Sequence, residues 1–278
     1  MIEVRGCEGF DELEACVRTQ IETWGYDASD VIPRKAFLVA QKIGGQVIGA
    51  FDAELGSTAP GEGAEAMVGF AMSLPGMKTG NGEPRAYLHS HMLAVLEGYR
   101  NRGLGARLKL EQRREALSRG IRLMEWTFDP LEIKNAFLNI HKLGAIARGY
   151  RADFYGVSSS RLQGGLPTDR LLAEWHLDSP QVGAVLEGSP RAAYEIKERI
   201  VVPASIYEWK ASEAGRERAL TVQMENRSRF QQAFSRGLAV IGFTRDAHGN
   251  GVFELGSPAQ SGARPGFQET EPRERKNL

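Results

Sequence analysis

The sequence predicts an α+β protein: a mostly antiparallel, mixed sheet with helices interrupting the strands, followed by a smaller α+β extension. Three observations lead there. Strand-like runs, short and bounded by loop-forming Gly and Pro, recur along the chain. Between them lie segments whose apolar residues return every three or four positions, as a helix with one buried face requires. Beyond residue 180 the character changes at a linker-like stretch, GAVLEGSP, and the pattern then resumes.

Composition bounds the answer. The chain has 278 residues, 42% of them hydrophobic, enough for a sizeable core. Its 35 Lys and Arg balance 35 Asp and Glu, so the formal net charge is zero. A broad electrostatic grip on nucleic acid or on an anionic membrane is not indicated, and any attraction for anions must be local. Two cysteines, Cys7 and Cys16, make neither a disulfide framework nor a structural zinc site. The first ten residues, MIEVRGCEGF, carry charge where a secretory signal needs an apolar run. No segment approaches the ~18–20 apolar residues of a membrane span. The expectation is a cytoplasmic protein that binds no metal.

The elements follow in order. A short strand is expected over 2–5, then an amphipathic helix over 12–24, with Leu13, Cys16 and Val17 on its buried face. A second helix covers 33–42, with Pro33 tolerated in its first turn and Gly44–Gly45 stopping it. Strands over 46–53 and 65–74 flank the loop GSTAPGEG. A strand over 87–96 leads through a glycine-rich stretch into a long helix that reaches 119, with Gly120 as its C-cap. A strand over 121–128 is broken by Asp129–Pro130, and a helix follows over 131–143. Strands over 147–157 and 170–177 complete the first part, expected to be a domain of residues 1–180. The extension, 181–257, reads as a strand over 194–202, a helix over 214–235 and a hairpin of 238–245 with 251–255. Residues 258–278 are polar, charged and rich in Gly and Pro, and are expected to be a disordered tail.

The glycine-rich stretch, YRNRGLGARLK, carries the functional signal. Glycine is costly in a helix and clustered arginines repel, so the stretch needs a ligand-based reason. A P-loop fails because Leu104 stands where Lys is required, and a dinucleotide fingerprint fails because Leu108 replaces its third glycine. What remains is [QR]-x-x-G-x-[GA] at Arg100-Asn101-Arg102-Gly103-Leu104-Gly105, between a strand and a helix. The first amides of a helix lack intrahelical partners and carry the positive end of its dipole. With no side chains at Gly103 and Gly105, a pyrophosphate can approach those amides closely, and Arg100 and Arg102 can add charge-assisted bonds.

With that loop, HMLAVLEGYRNRGLGARLKLE and LMEWTFDPLEIKNAFLNIHKLGA, the chain resembles the GNAT superfamily of acyl-CoA-dependent N-acyltransferases. The resemblance covers most of residues 1–177. It extends to a longer bacterial subgroup with an added C-terminal part, through HSHM, TFDP, NAFLN, KLGA, DFYG and DRLLAEW. It implies a sheet whose fourth and fifth strands part to admit pantetheine, with acetyl-CoA or another acyl-CoA as co-substrate. Backbone groups around Leu93, Ala94 and Val95 would bond the pantetheine and orient the acyl carbonyl. The amides from Arg102 through Gly103, Leu104 and Gly105 to Ala106 would hold the pyrophosphate. Asn135 and Asn139, four apart on one helix face, are candidates for the cofactor arm, with Ala136, Ile140 and Leu143 on the apolar face.

N-acyl transfer needs a neutral amine, a polarised thioester carbonyl and a proton for the departing thiolate. His89 and His91, two apart on the expected fourth strand, share a face with Tyr87 and Leu93, while Ser90 and Met92 point the other way. They are the first base candidates, and both also read as hydrogen-bonded core or rim histidines. Glu125 is a second base candidate that also reads as a solvated edge carboxylate. Many family members carry a tyrosine near the Leu-Gly of the helix, but here Ile140 stands there. That departure leaves the general acid to Tyr150, Tyr155 or water. The loop over 161–170 could hold an acceptor or acyl carboxylate with an arginine. The acceptor is expected to be a small-molecule primary amine attacking directly in a ternary complex. A non-catalytic acyl-CoA sensor and a protein Lys or N-terminal acetyltransferase stay open, as does a homodimer.

Overall fold

A computed structural model describes residues 1–80, 83–189 and 194–258 of the chain. The strands are β1 (Ile2–Gly6), β2 (Gln46–Asp52), β3 (Met67–Gly80), β4 (Glu83–Val95), β5 (Leu123–Phe128), β6 (Ile146–Arg151), β7 (Arg170–His176), β8 (Glu198–Val202), β9 (Ala239–Arg245) and β10 (Gly251–Gly256). The helices are α1 (Gly9–Trp24), α2 (Arg34–Lys42), α3 (Leu104–Ser118), α4 (Ile133–Ala136), α5 (Pro180–Leu186), α6 (Ile206–Ala211) and α7 (Glu213–Ser235).

The strands form one ten-stranded sheet in the order β1-β2-β3-β4-β5-β7-β6-β9-β10-β8. Every neighbouring pair is antiparallel except β4 with β5. The expected α+β, mostly antiparallel mixed sheet is therefore what the chain forms. Leu13, Cys16 and Phe37 of α1 and α2 pack on one face of the sheet with Phe70 and Met92. Leu104 and Leu108 of α3 pack on the other, against Ile48, Ala50 and Val68. A third core runs from β5 and β7 into the extension, where Phe230 of α7 stacks on Tyr150 at 5.7 Å and meets Phe253 edge-on at 5.2 Å. First part and extension thus share both sheet and core. Cys7 and Cys16 are buried free thiols with their sulfurs 4.0 Å apart.

Several expectations differ in extent. The strand expected over 147–157 stops at Arg151, because Asp153 takes a left-handed φ of 46° and accepts bonds from Thr168 N and Oγ1. The strand expected over 194–202 begins only at Glu198. The linker-like stretch starts as a helix, α5, whose N-cap Ser179 accepts from Val182 N. The helix expected over 131–143 is α-helical only to Ala136, then continues as a π-helical segment, Phe137–Lys142. The tail from residue 259 lies outside the described residues.

One buried carboxylate anchors the N-terminal layer. Glu12 has no exposed surface, forms a two-pronged ion pair with Arg5, and accepts from the amides of Glu8, Gly61 and Gly63. Burial pushes its acidity toward the neutral form, but Arg5 and the amides outweigh it and hold the carboxyl below the usual range. A folded pKa below the unfolded one gives stability that is present above about pH 4.3 and is lost as pH falls through the folded value. Glu12→Gln is expected to cost about 2 kcal/mol at pH 7 and to flatten the loss of stability between neutral pH and pH 3. Urea melts at both pH values check this.

Candidate active site

β4 and β5 are paired only at Leu88 with Met124 and His89 with Glu125. Beyond those two pairs the strands diverge, leaving a gap in the sheet. A bulge in β4 lies at its apex: Met92 faces Met72 and Ser90 faces Ser73, so His91 is the extra residue. The bulge corrects the expected alternation. Met92 joins the core under α1 and α2, while Leu93 packs with Ser90 on the α3 side. His89 and His91 keep a common side, with ring centroids 6.2 Å apart.

Backbone direction follows from the β3–β4 ladder. Leu96 N donates to Val68 O, so by antiparallel alternation Ala94 is bonded to β3 while Leu93 and Val95 turn their N–H and C=O toward the gap. Ala94's polar groups are thus committed to the ladder. Val95 O accepts from Arg100 Nε at 3.0 Å, and Arg100 Nη2 donates to Thr23 O. Arg100 therefore ties the end of β4 to α1. Arg102 is exposed, with its guanidinium 5.3 Å from the Tyr99 ring.

The open end of the gap meets the N-terminus of α3. Asn101 and Gly103 adopt left-handed φ values of 62° and 76°, turning the chain sharply into the helix. Arg107 N is the first to find a helical acceptor, Gly103 O. The amides of Leu104, Gly105 and Ala106 precede it and have no intrahelical partner. A Cβ on Gly105 would lie 3.5 Å from Leu138 and 3.7 Å from Leu93, over the mouth of the gap.

The gap widens into a cleft of about 390 Å³ that passes through the sheet. On the α3 side it is lined by Leu93, Lys109, Trp126, Asn135, Leu138 and Asn139. Asn135 and Asn139 both face it, as the four-residue spacing suggested, Asn135 from α4 and Asn139 from the π-helical segment, where Leu143 N reaches back to Leu138 O. On the α1–α2 side, Trp24, Tyr26, His91, Thr127, Tyr155 and Arg170 line it. Tyr155 OH and Thr127 Oγ1 share a hydrogen bond of 2.8 Å. Arg170 donates to Asp169 O and Gln163 Oε1 and lies 5.3 Å over the Tyr155 ring.

The four catalytic candidates separate. His91 and Tyr155 line the cleft, whereas His89 and Glu125 do not. Glu125 pairs instead with Lys78 on the β3–β4 arm. Burial lowers the His91 pKa, which favours the neutral imidazole a base requires. Tyr150 is engaged elsewhere, donating to buried Asp169 at 2.6 Å.

Three features escaped the sequence reading. Ser159 donates through N and Oγ to Asp30 and accepts from Asp27 N, strapping the segment after Tyr155 to the α1–α2 loop beside the cleft. Lys210 of α6 reaches the rim, 3.0 Å from both Asp129 and Glu132. Lys109 is buried in the cleft. Its signal was present: Gly105, Lys109, Gln112 and Ala116 recur at helical spacing, a face of small and polar residues that is nonetheless inside.

No family model and no curated protein matches this sequence. Solved structures do. An acetyltransferase of the GNAT family from Desulfovibrio desulfuricans gives a TM-score of 0.46 at 14% identity, over 64% of this chain and 99% of its own. NAA60 of Arabidopsis thaliana, solved with acetyl-CoA, gives 0.47 at 16% identity, over 63% and 99%. Aminoglycoside 6'-acetyltransferase type Ii gives 0.46 at 16% identity, over 64% and 98%. The chain is similar to acetyltransferases of the GNAT family. About a third of it lies outside each likeness. Among the described residues no group of His, Cys, Asp and Glu is placed to hold a metal, and no helix is long and apolar enough to cross a membrane.

Proposed function

We propose that the protein is an acyl-CoA-dependent N-acyltransferase that moves a short acyl group to the primary amine of a small molecule. The observation that carries this reading is the alignment of two features. Unpartnered amides at the start of α3 sit at the open end of a gap between β4 and β5, and the gap leads to a half-buried histidine, His91. The amides of Leu104, Gly105 and Ala106 hold the pyrophosphate, and the dipole of a fifteen-residue helix adds to them. The pantetheine lies along β4, bonded by the gap-facing groups of Leu93. Asn135 and Asn139 meet it from the other wall.

The acceptor enters from the opposite face of the sheet, where the Asp30–Ser159 strap narrows access to small molecules. His91 takes a proton from the ammonium, and the freed amine attacks the thioester carbonyl. The tetrahedral intermediate collapses with loss of the thiolate; Tyr155 OH gives the sulfur its proton and is reprotonated by the proton that the acylated nitrogen sheds in becoming an amide. Arg170 offers a cation for an acceptor carboxylate.

Thiol release from short acyl-CoA thioesters, measured across a panel of amines, tests the proposal. Release that depends on one amine class is expected. Coenzyme binding with no amine-dependent release across the panel would assign a sensor instead.

His91 sets the pH dependence. A base must be unprotonated, so the rate rises with pH through its pKa, and burial places that rise below the ~6.5 of an ordinary histidine. His91→Gln is expected to lower kcat about 10²–10⁴-fold and to remove the acid limb of the profile. A pH–rate series on both proteins checks it.

A further inference from the structure

Lys109 is 2% exposed, yet it lines the cleft. It sits one helical turn beyond Gly105 on the same face of α3, deeper than the pyrophosphate cradle. Its Nζ donates to Ser90 Oγ at 2.7 Å. Ser90 immediately precedes the bulge, so the ammonium lies at the closed end of the gap, where β4 and β5 come back together. The Trp126 ring closes one side, its centroid 3.7 Å from Nζ.

No carboxylate balances this group among the described residues. Asp129 and Glu132 line the same cleft, but both are drawn to Lys210 at 3.0 Å, and neither forms an ion pair with Lys109. Ser90 cannot supply charge, and its own hydroxyl donates to Gln112 Oε1. Two more buried donors nearby lack acceptors: Trp126 Nε1 on β5 and Gln112 Nε2 on α3. The blind end of the cleft therefore holds an indole N–H without an acceptor and a lysine amine without a counter-ion. Buried polar groups of native proteins find partners, and a buried cation finds an anion. Without one, burial alone pushes the Lys109 pKa far down.

We propose that Lys109 is the anchor of an acyl-group subsite, and that the transferred group is a short dicarboxylic acyl such as malonyl or succinyl. Its free carboxylate pairs with Nζ at the apex of the gap. This rests on the coenzyme A reading of the cleft and names its donor class. A thioester held near His91 by the gap-facing edge of β4 directs its acyl chain toward Ser90 and Lys109. A plain acetyl group would leave the lysine without an anion. Charged hydrogen bonds contribute about 1.5–3 kcal/mol, so the preference for a terminal carboxylate is at least about tenfold.

The test uses unreactive thioether analogues of succinyl-CoA and butyryl-CoA, which differ in charge at the chain end, together with free CoA. Calorimetry on the full chain should find the succinyl analogue bound at least about tenfold more tightly than the butyryl analogue. Lys109→Met should remove that difference while leaving free CoA affinity unchanged. Equal affinities, or a preference for butyryl, in the native protein overturn the subsite and leave the coenzyme cradle standing. Failure of all three ligands to bind the native protein overturns the cradle and the subsite with it. The native comparison decides the matter even if the variant folds poorly. In a folded Lys109→Met protein, a retained preference for the succinyl analogue also overturns the assignment.

Discussion

Gly105→Leu is expected to weaken coenzyme A binding by at least about a hundredfold, or about 2.7 kcal/mol, without unfolding the protein. Gly105 lies inside the first turn of α3 with an ordinary negative φ, so leucine costs nothing in backbone strain. Its Cβ would make only ordinary contacts with Leu138 and Leu93. The remaining side-chain atoms must then enter the mouth of the gap, between the free amides and any diphosphate. Steric exclusion and loss of the amide contacts act together. Calorimetry with coenzyme A and a thermal melt separate the two effects: no heat of binding with an unchanged midpoint is the expected pair. Undiminished binding would remove the amide cradle from the account.

Arg227→Met is expected to destabilise the fold by about 3–5 kcal/mol, because it strands a buried charge. Asp169 has no exposed surface and lies where β7 begins. Arg227 of α7 grips both of its oxygens, at 2.7 and 2.8 Å, while Tyr150 OH and Asp153 N complete the shell. The carboxylate thus joins β6, β7, the turn after β6 and the long helix of the extension. Methionine keeps the packing of the arginine stem and removes only the charge. Adding Asp169→Asn to Arg227→Met should recover part of the loss, since the amide needs no counter-ion. Chemical denaturation of the three variants measures both steps, and additive losses in the double variant would show that no such coupling exists.

The order of strands and helices through residue 177 was readable because each element carries its own period and its own stop. Leu13, Cys16 and Val17 mark a helix, and Gly120 ends another at φ 76°. The cradle was readable because Gly103 and Gly105 are unusual where a helix begins. The bulge was not, since nothing in YLHSHMLAV marks an inserted residue and only the mismatch with β3 makes His91 the extra one. The π-helical segment was equally hidden, as FLNIHK suits an ordinary helix and tertiary packing overrides it.

Side-chain roles were less legible than backbone. Nothing local distinguishes His89 from His91, yet one lines the cleft and the other does not. Arg100 looked like a phosphate ligand and instead bonds Val95 O and Thr23 O. Lys109 was not singled out by the sequence, because a lysine on a helix is seldom buried. The extension looked separable because of its Gly and Pro, but Lys210 and Arg227 reach from it into the first part.

Only two residue pairs join the left and right halves of the sheet across β4 and β5. So slender a seam resists shear poorly, and most of the stiffness there must come from α3 lying across it. A molecule threaded between the diverging strands would serve as the absent strand and splint the seam. With the proposed coenzyme as that molecule, opening of the two halves and its release would be a single motion, and the breathing of the scaffold would set the pace of the proposed turnover.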